Sequence, residues 1–129
     1  MFFSPARTLL LFLPTINLAS NFLNTSAMDR VLKLISWNVN GLRACVRYGL
    51  LDWIKKEKPD LLCLQETKAL PSEIVSALEG INGYQVFTHS AERKGYSGVA
   101  TLARQKPLDV KEGMGIKKFD AEGRVLITT

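Results

Sequence analysis

From Val31 onward, apolar and polar positions fall into short blocks whose period changes along the chain. Val31 to Trp37 is rich in β-formers and ends at Asn38-Val39-Asn40-Gly41, a turn signal. Leu50, Leu51, Trp53 and Ile54 recur at near-helical spacing, Lys55, Lys56 and Lys58 sit where cations suit a helix C-terminus, and Pro59 stops the run. Leu61 to Leu64 is apolar without alternation, which predicts a short strand covered on both faces. Leu70-Pro71-Ser72-Glu73 opens a second helix with proline in its first turn, and Gly80 closes it. Tyr84 to Thr88, Val99 to Ala103 and Arg124 to Thr128 read as further strands. Cys45 falls in a loop or an early helix, and there is no internal repeat.

Strand, helix and strand between Val31 and Leu64 form a βαβ unit, so the two strands should be parallel with a right-handed crossover. In open α/β sheets ligands gather at the carboxyl ends of strands. Asn38 and Glu66 stand at those two ends. Side-chain alternation puts Leu34, Ser36 and Asn38 on one face, and likewise Leu62, Leu64 and Glu66, which predicts that Asn38 and Glu66 converge.

Residues 1–28 differ from the rest. They hold one arginine, no lysine and no acid, whereas charges recur every few residues from Asp29 on. We read 1–28 as a leader, disordered or weakly helical, and 29–129 as a globular domain. Three readings of the leader are open: a mitochondrial presequence, a secretory signal and an extension upstream of a start at Met28. The first is preferred to the second because two cysteines make no disulfide framework. Pro14 and Asn17 cut the apolar run short of the roughly 20 residues a spanning helix needs, so no stable membrane association is expected. Seventeen basic against twelve acidic residues give a net charge of +5, which favours an anionic partner such as nucleic acid.

A carboxamide and a carboxylate at neighbouring strand ends suit a hard cation such as Mg²⁺, which takes oxygen ligands and shares its shell with water and phosphate. Arg43 and Lys68 lie just beyond the same ends and could hold phosphates. Each feature also has a plainer reading. Asn38 and Asn40 could be turn formers, Glu66 a solvated strand-end charge, Arg43 and Lys68 surface charges, Gly95-Tyr96-Ser97-Gly98 a loop, and His89 a structural histidine. No Ser/His/Asp or Cys/His grouping stands out, and the glycines match no phosphate-loop pattern. The residues by themselves therefore reach an α/β domain with a candidate metal and phosphate corner.

Four ordered motifs go further: SWNVNGLRA (Ser36–Ala44), PDLLCLQETK (Pro59–Lys68), GYSGVATLAR (Gly95–Arg104) and EGRVLIT (Glu122–Thr128). Together they resemble the exonuclease III-like class of apurinic/apyrimidinic (AP) endonucleases, within the endonuclease/exonuclease/phosphatase superfamily. The resemblance covers Leu32 to Thr129. It implies the N-terminal portion of a four-layered α/β sandwich with two packed sheets. It also implies Mg²⁺-dependent cutting of double-stranded DNA 5′ to abasic sites in base-excision repair, with 3′-end trimming in many members and Mn²⁺ as a substitute ion. By motif position, Asn38 and Glu66 look catalytic, Glu66, Asn38 and Asn40 metal-proximal, and Arg43, Lys68, Gly95, Tyr96 and Ser97 placed against DNA. Nucleus is the family expectation for location, with mitochondrion suggested by the leader. The family's further pieces, a tyrosine, a Gly-Asp-x-Asn motif with the general base and a Ser-Asp-His, have no match in these 129 residues. The chain alone is therefore expected to be inactive. A truncated isoform that binds nucleic acid or protein is the alternative, and a phosphoinositide-directed branch fits the GLRA and GYSG contexts less well.

Overall fold

The computed structural model describes residues 7–12, as backbone, and 31–129. Among the described residues, five strands form one sheet in the order β1-β2-β3-β5-β4 and two more form a hairpin. In chain order the elements are β1 (Arg7–Phe12), β2 (Val31–Asn38), α1 (Leu42–Arg47), α2 (Leu50–Glu57), β3 (Leu61–Gln65), α3 (Pro71–Ala77), β4 (Gln85–His89), β5 (Val99–Ala103), β6 (Val110–Glu112), α4 (Lys117–Asp120) and β7 (Leu126–Thr128). β2 and β3 are parallel, as the βαβ pattern predicts, while β5 runs antiparallel to both β3 and β4. The result is a mixed α/β fold with a main sheet and a second, smaller one.

The core lies on one face of the main sheet. Ile35, Leu62, Leu64, Ala100 and Leu102 stand there, buried against Leu42 and Cys45 of α1, Leu50 and Ile54 of α2, and Ile74 of α3. Burying side chains of this size stabilises by about 1.5–3 kcal/mol each, before the entropy of ordering them is subtracted. Trp37 and Trp53 meet edge to face at 5.0 Å and join β2 to α2. The crossover is two helices, broken where Gly49 takes a φ of +97° and starts α2. The apolar stripe of α2 was legible. For the six-residue α1 the sequence leaves loop and early helix both open, because LRACVR buries only Leu42 and Cys45.

The opposite face carries Leu34, Ser36 and Asn38 beside Leu61, Cys63 and Gln65, their register partners. The second sheet lies against β4 and β5, and His89 Nδ1 sits 2.7 Å from the Val125 carbonyl. Beside β2 and β3 the face stays open. An apolar cleft of about 580 Å³ is lined there by Leu32, Leu34, Leu61, Pro107 and Leu108. The expectation that β3 is covered on both faces therefore holds on the helix side only: Leu62 and Leu64 are buried, Leu61 and Cys63 partly exposed.

Part of the leader also departs from expectation. Arg7–Phe12, expected disordered or weakly helical, form a strand antiparallel to β2, with Arg7 opposite Ser36 and Phe12 opposite Val31. The physical reason is the edge of β2: a row of unpaired N–H and C=O groups accepts any extended segment that reaches it. The other leader residues lie outside the described ones. No helix among the described residues is long and apolar enough to cross a membrane.

Candidate functional site

The carboxyl ends of β2 and β3 do bring Asn38 and Glu66 together. Asn38 Nδ2 donates to Glu66 Oε1 at 2.7 Å. The cause is not strand alternation. The register pairs Asn38 with Gln65, so continued alternation would send Glu66 to the helix side with Leu62 and Leu64. Instead Glu66 leaves the strand in the left-handed region, φ +52°, and this turns its side chain back toward Asn38. A non-glycine residue there costs about 1–2 kcal/mol and persists only where neighbours hold it. The neighbours are identifiable: Gly41 N donates to Glu66 O at 2.8 Å and Leu42 N to Thr67 O at 2.9 Å, and Thr67 N and Lys68 N donate to the Gly98 and Ser97 carbonyls at 3.1 and 2.8 Å.

Asn38 is used at both ends of its amide. Its Oδ1 accepts from Asn40 N at 3.0 Å, closing the turn that puts Asn40 at φ +45°. Asn38 is thus a turn former and a partner of Glu66 at once. Asn40 Oδ1 accepts from Lys68 Nζ, which also lies 3.2 Å from Glu66 Oε2. The hydrogen bond from Asn38, then that from Lys68, holds the Glu66 carboxyl below the usual glutamate range, with smaller help from the charges of Lys68 and Arg124.

The other sequence candidates separate into two groups. Arg43 turns away from the corner and pairs with Glu73 Oε1 at 2.9 Å, while Glu73 Oε2 accepts from Leu70 N and caps α3. In the Gly95–Gly98 loop, Gly95 is exposed and Ser97 is buried, with its carbonyl holding Lys68. Tyr96 belongs to a cluster that sequence reading missed. Its hydroxyl donates to Glu122 Oε2 at 2.9 Å and accepts from Arg124 Nη2 at 2.8 Å, and the guanidinium carbons of Arg93 and Arg124 each lie 5.4 Å from its ring centre. The signal lies in EGRVLIT, which carries the charged pair Glu122 and Arg124. His89 Nδ1 is engaged at the Val125 carbonyl. Both cysteines are free thiols, raised in pKa by burial.

Among the described residues no group of three or more His, Cys, Asp or Glu side chains converges. From these residues a cation at this corner is offered one carboxylate and neutral oxygens. That donor set fits a hard, largely hydrated ion and suits a thiophilic one poorly. The Lys68 ammonium, seated between Glu66 and Asn40, already marks the spot as one that takes positive charge.

The sheet thus gathers one carboxylate, two carboxamides and a basic rim at the carboxyl ends of its parallel strands, where ligands of open α/β sheets collect. The chain belongs to the endonuclease/exonuclease/phosphatase family, whose sequence model matches residues 35–129. It is 48% identical over 99 residues to a zebrafish (Danio rerio) protein named DNA repair nuclease APEX1, covering 74% of this chain and 31% of that one. It is 42% identical over 98 residues to a Dictyostelium discoideum DNA-(apurinic or apyrimidinic site) endonuclease, covering 76% of this chain and 27% of the relative. Among solved structures it resembles a Neisseria 3′ phosphatase bound to a product DNA hairpin, with a TM-score of 0.64 at 30% identity, covering 76% of this chain and 37% of that one. The chain thus spans about a third, or less, of the length of the relatives it matches.

Proposed function

We propose that these residues form the first part of an AP endonuclease of DNA repair, one that hydrolyses the phosphodiester 5′ to an abasic site and also trims 3′ ends. The observation that carries this reading is the Asn38–Glu66 hydrogen bond at the ends of β2 and β3, within a stretch similar to named DNA repair nucleases. In this reading Glu66 is the carboxylate ligand of a divalent ion, Mg²⁺ with Mn²⁺ as substitute, and Asn40 supplies a neutral oxygen. Asn38 holds Glu66 in place through its amide and steadies the turn. When bound, the ion supplies charge stabilisation at the phosphate. Lys68, Tyr96 and the neighbouring Arg124 face the DNA backbone, Gly95 lets the loop approach it, Ser97 holds the loop in register, and Arg43 braces α1 against α3.

Hydrolysis by water also needs a base in reach. Among the described residues, Glu66 and Lys68 are paired to each other and His89 is turned to Val125. The 129-residue chain by itself is therefore expected to leave an abasic duplex uncut. Nucleus or mitochondrion is the proposed location, since the substrate is DNA.

The reading is tested by a chimera in which residues 31–129 replace the matching third of the zebrafish relative. It should incise an abasic duplex in Mg²⁺, and Glu66→Gln in the chimera should lower the rate at least a hundredfold, the usual scale for removing a group that stabilises transition-state charge. Undiminished incision by that variant would remove Glu66 from the site.

A further inference from the structure

The candidate metal corner holds a cation of its own. Lys68 Nζ lies 3.2 Å from Glu66 Oε2 and donates to Asn40 Oδ1, so it touches the two side chains assigned above to the divalent ion. The inference rests on that assignment. Three features make the contact more than a chance surface pair. The backbone of Lys68 is fixed, at φ +50° and with its N–H bonded to the Ser97 carbonyl, so its side chain starts from a set position. The adjoining turn is fixed as well, because Thr67 N bonds the Gly98 carbonyl. The Lys68 side chain is 35% exposed, which leaves water on one side for the ammonium to move into.

Charge completes the argument. Glu66 and Lys68 cancel, and Asn40 contributes no charge, so an approaching divalent ion meets no net attraction from these three residues. It also meets an ammonium already at hydrogen-bond distance from both of its donors. We propose that Lys68 is a built-in competitor for the metal: its ammonium occupies the cation's place between Glu66 and Asn40 and swings out when a divalent ion binds. Without metal, Lys68 keeps the Glu66 carboxylate paired and Asn40 oriented. With metal, the same ammonium stays tethered a side-chain length from the ion, where an anionic oxygen can take it.

The test is an Mn²⁺ titration of the 129-residue chain, reading free Mn²⁺ by electron paramagnetic resonance, with circular dichroism confirming that each variant is folded. Lys68→Met should tighten Mn²⁺ binding by about three- to tenfold, the scale of removing one unit charge about 6 Å from a divalent ion in a water-like medium. Lys68→Arg keeps the charge and should not tighten it, and Glu66→Gln should weaken it at least tenfold. If Glu66→Gln loses the metal while Lys68→Met binds it no more tightly than the parent chain, the competitor role is wrong and the metal assignment stands. If the parent chain and Glu66→Gln bind Mn²⁺ alike, the metal assignment itself fails. A second readout needs no substitution: the Lys68 Cε resonance in the parent chain should shift as Mg²⁺ saturates the site, and an unmoved resonance would overturn the proposal.

Discussion

Glu66 answers to three neighbours, and its titration reports them. Hydrogen bonds from Asn38 and Lys68 favour the carboxylate, so its folded pKa lies below the ordinary glutamate value. For a carboxyl depressed in this way, the stabilisation is present above the unfolded value and is lost as pH falls through the lower folded value. Carboxyl-carbon NMR of the metal-free chain should show Glu66 titrating below the usual glutamate range, and both Asn38→Ala and Lys68→Met should move the midpoint up. An unshifted midpoint in both variants would mean that the two hydrogen bonds do not form in solution. Glu66 was legible as a candidate because an apolar run ends in a carboxylate at a strand end. Its geometry was not, because the reversal depends on a left-handed φ that no alternation rule contains.

The Gly95–Gly98 turn matters less for what it exposes than for what it holds. The Ser97 and Gly98 carbonyls accept from Lys68 and Thr67, so the loop sets the backbone between Glu66 and Lys68. Gly98 has a φ of +86°, and a Cβ there would collide with the buried Thr67 Oγ1, a hydroxyl without a protein partner. Gly98→Ala should therefore cost about 2–3 kcal/mol, by strain and by displacing Thr67. The melting temperature should fall, and the Asn38 and Glu66 side-chain resonances should shift with it. A variant as stable as its parent, with those resonances in place, would show that the turn does not position the corner. At this scale most strand bounds were legible: Val99–Ala103 agrees at both ends, β2 and β3 run one residue further, β4 is shifted by one residue at both ends, and β7 starts two residues later than Arg124. β6 and α4 are three and four residues long, too short for either period to register.

The molecule as a whole is basic, with +5 net charge, and the Arg93–Tyr96–Arg124 cluster adjoins the corner that holds Glu66. Duplex binding by the chain should fall linearly in log affinity against log salt, with each phosphate contact contributing a slope of about −0.9. Arg124→Ala should reduce that slope by about one phosphate contact. Absence of binding at low salt would sink the alternative reading, a DNA-binding isoform without catalysis. The open face around Leu34 and Leu61 adds a second molecular property. Leu108, 93% exposed, lines the cleft there with Leu32, Leu34 and Leu61.

The sequence by itself determined the alternation of strands and helices, the parallel pairing of β2 and β3, the family, and the residues worth examining at the strand ends. These follow from local periodicity, turn chemistry and motif order, all of which are properties of neighbouring residues. Only the tertiary structure decided that a left-handed turn delivers Glu66 to Asn38, that Lys68 fills the place between Glu66 and Asn40, that Arg43 belongs to Glu73, and that Tyr96 lies between two arginines. The bonds Asn38–Glu66, Asn40–Lys68, Arg43–Glu73 and Tyr96–Arg124 each join residues 28 to 30 apart. Such meetings depend on register and on φ values in the left-handed region, which the packing of the whole sheet imposes.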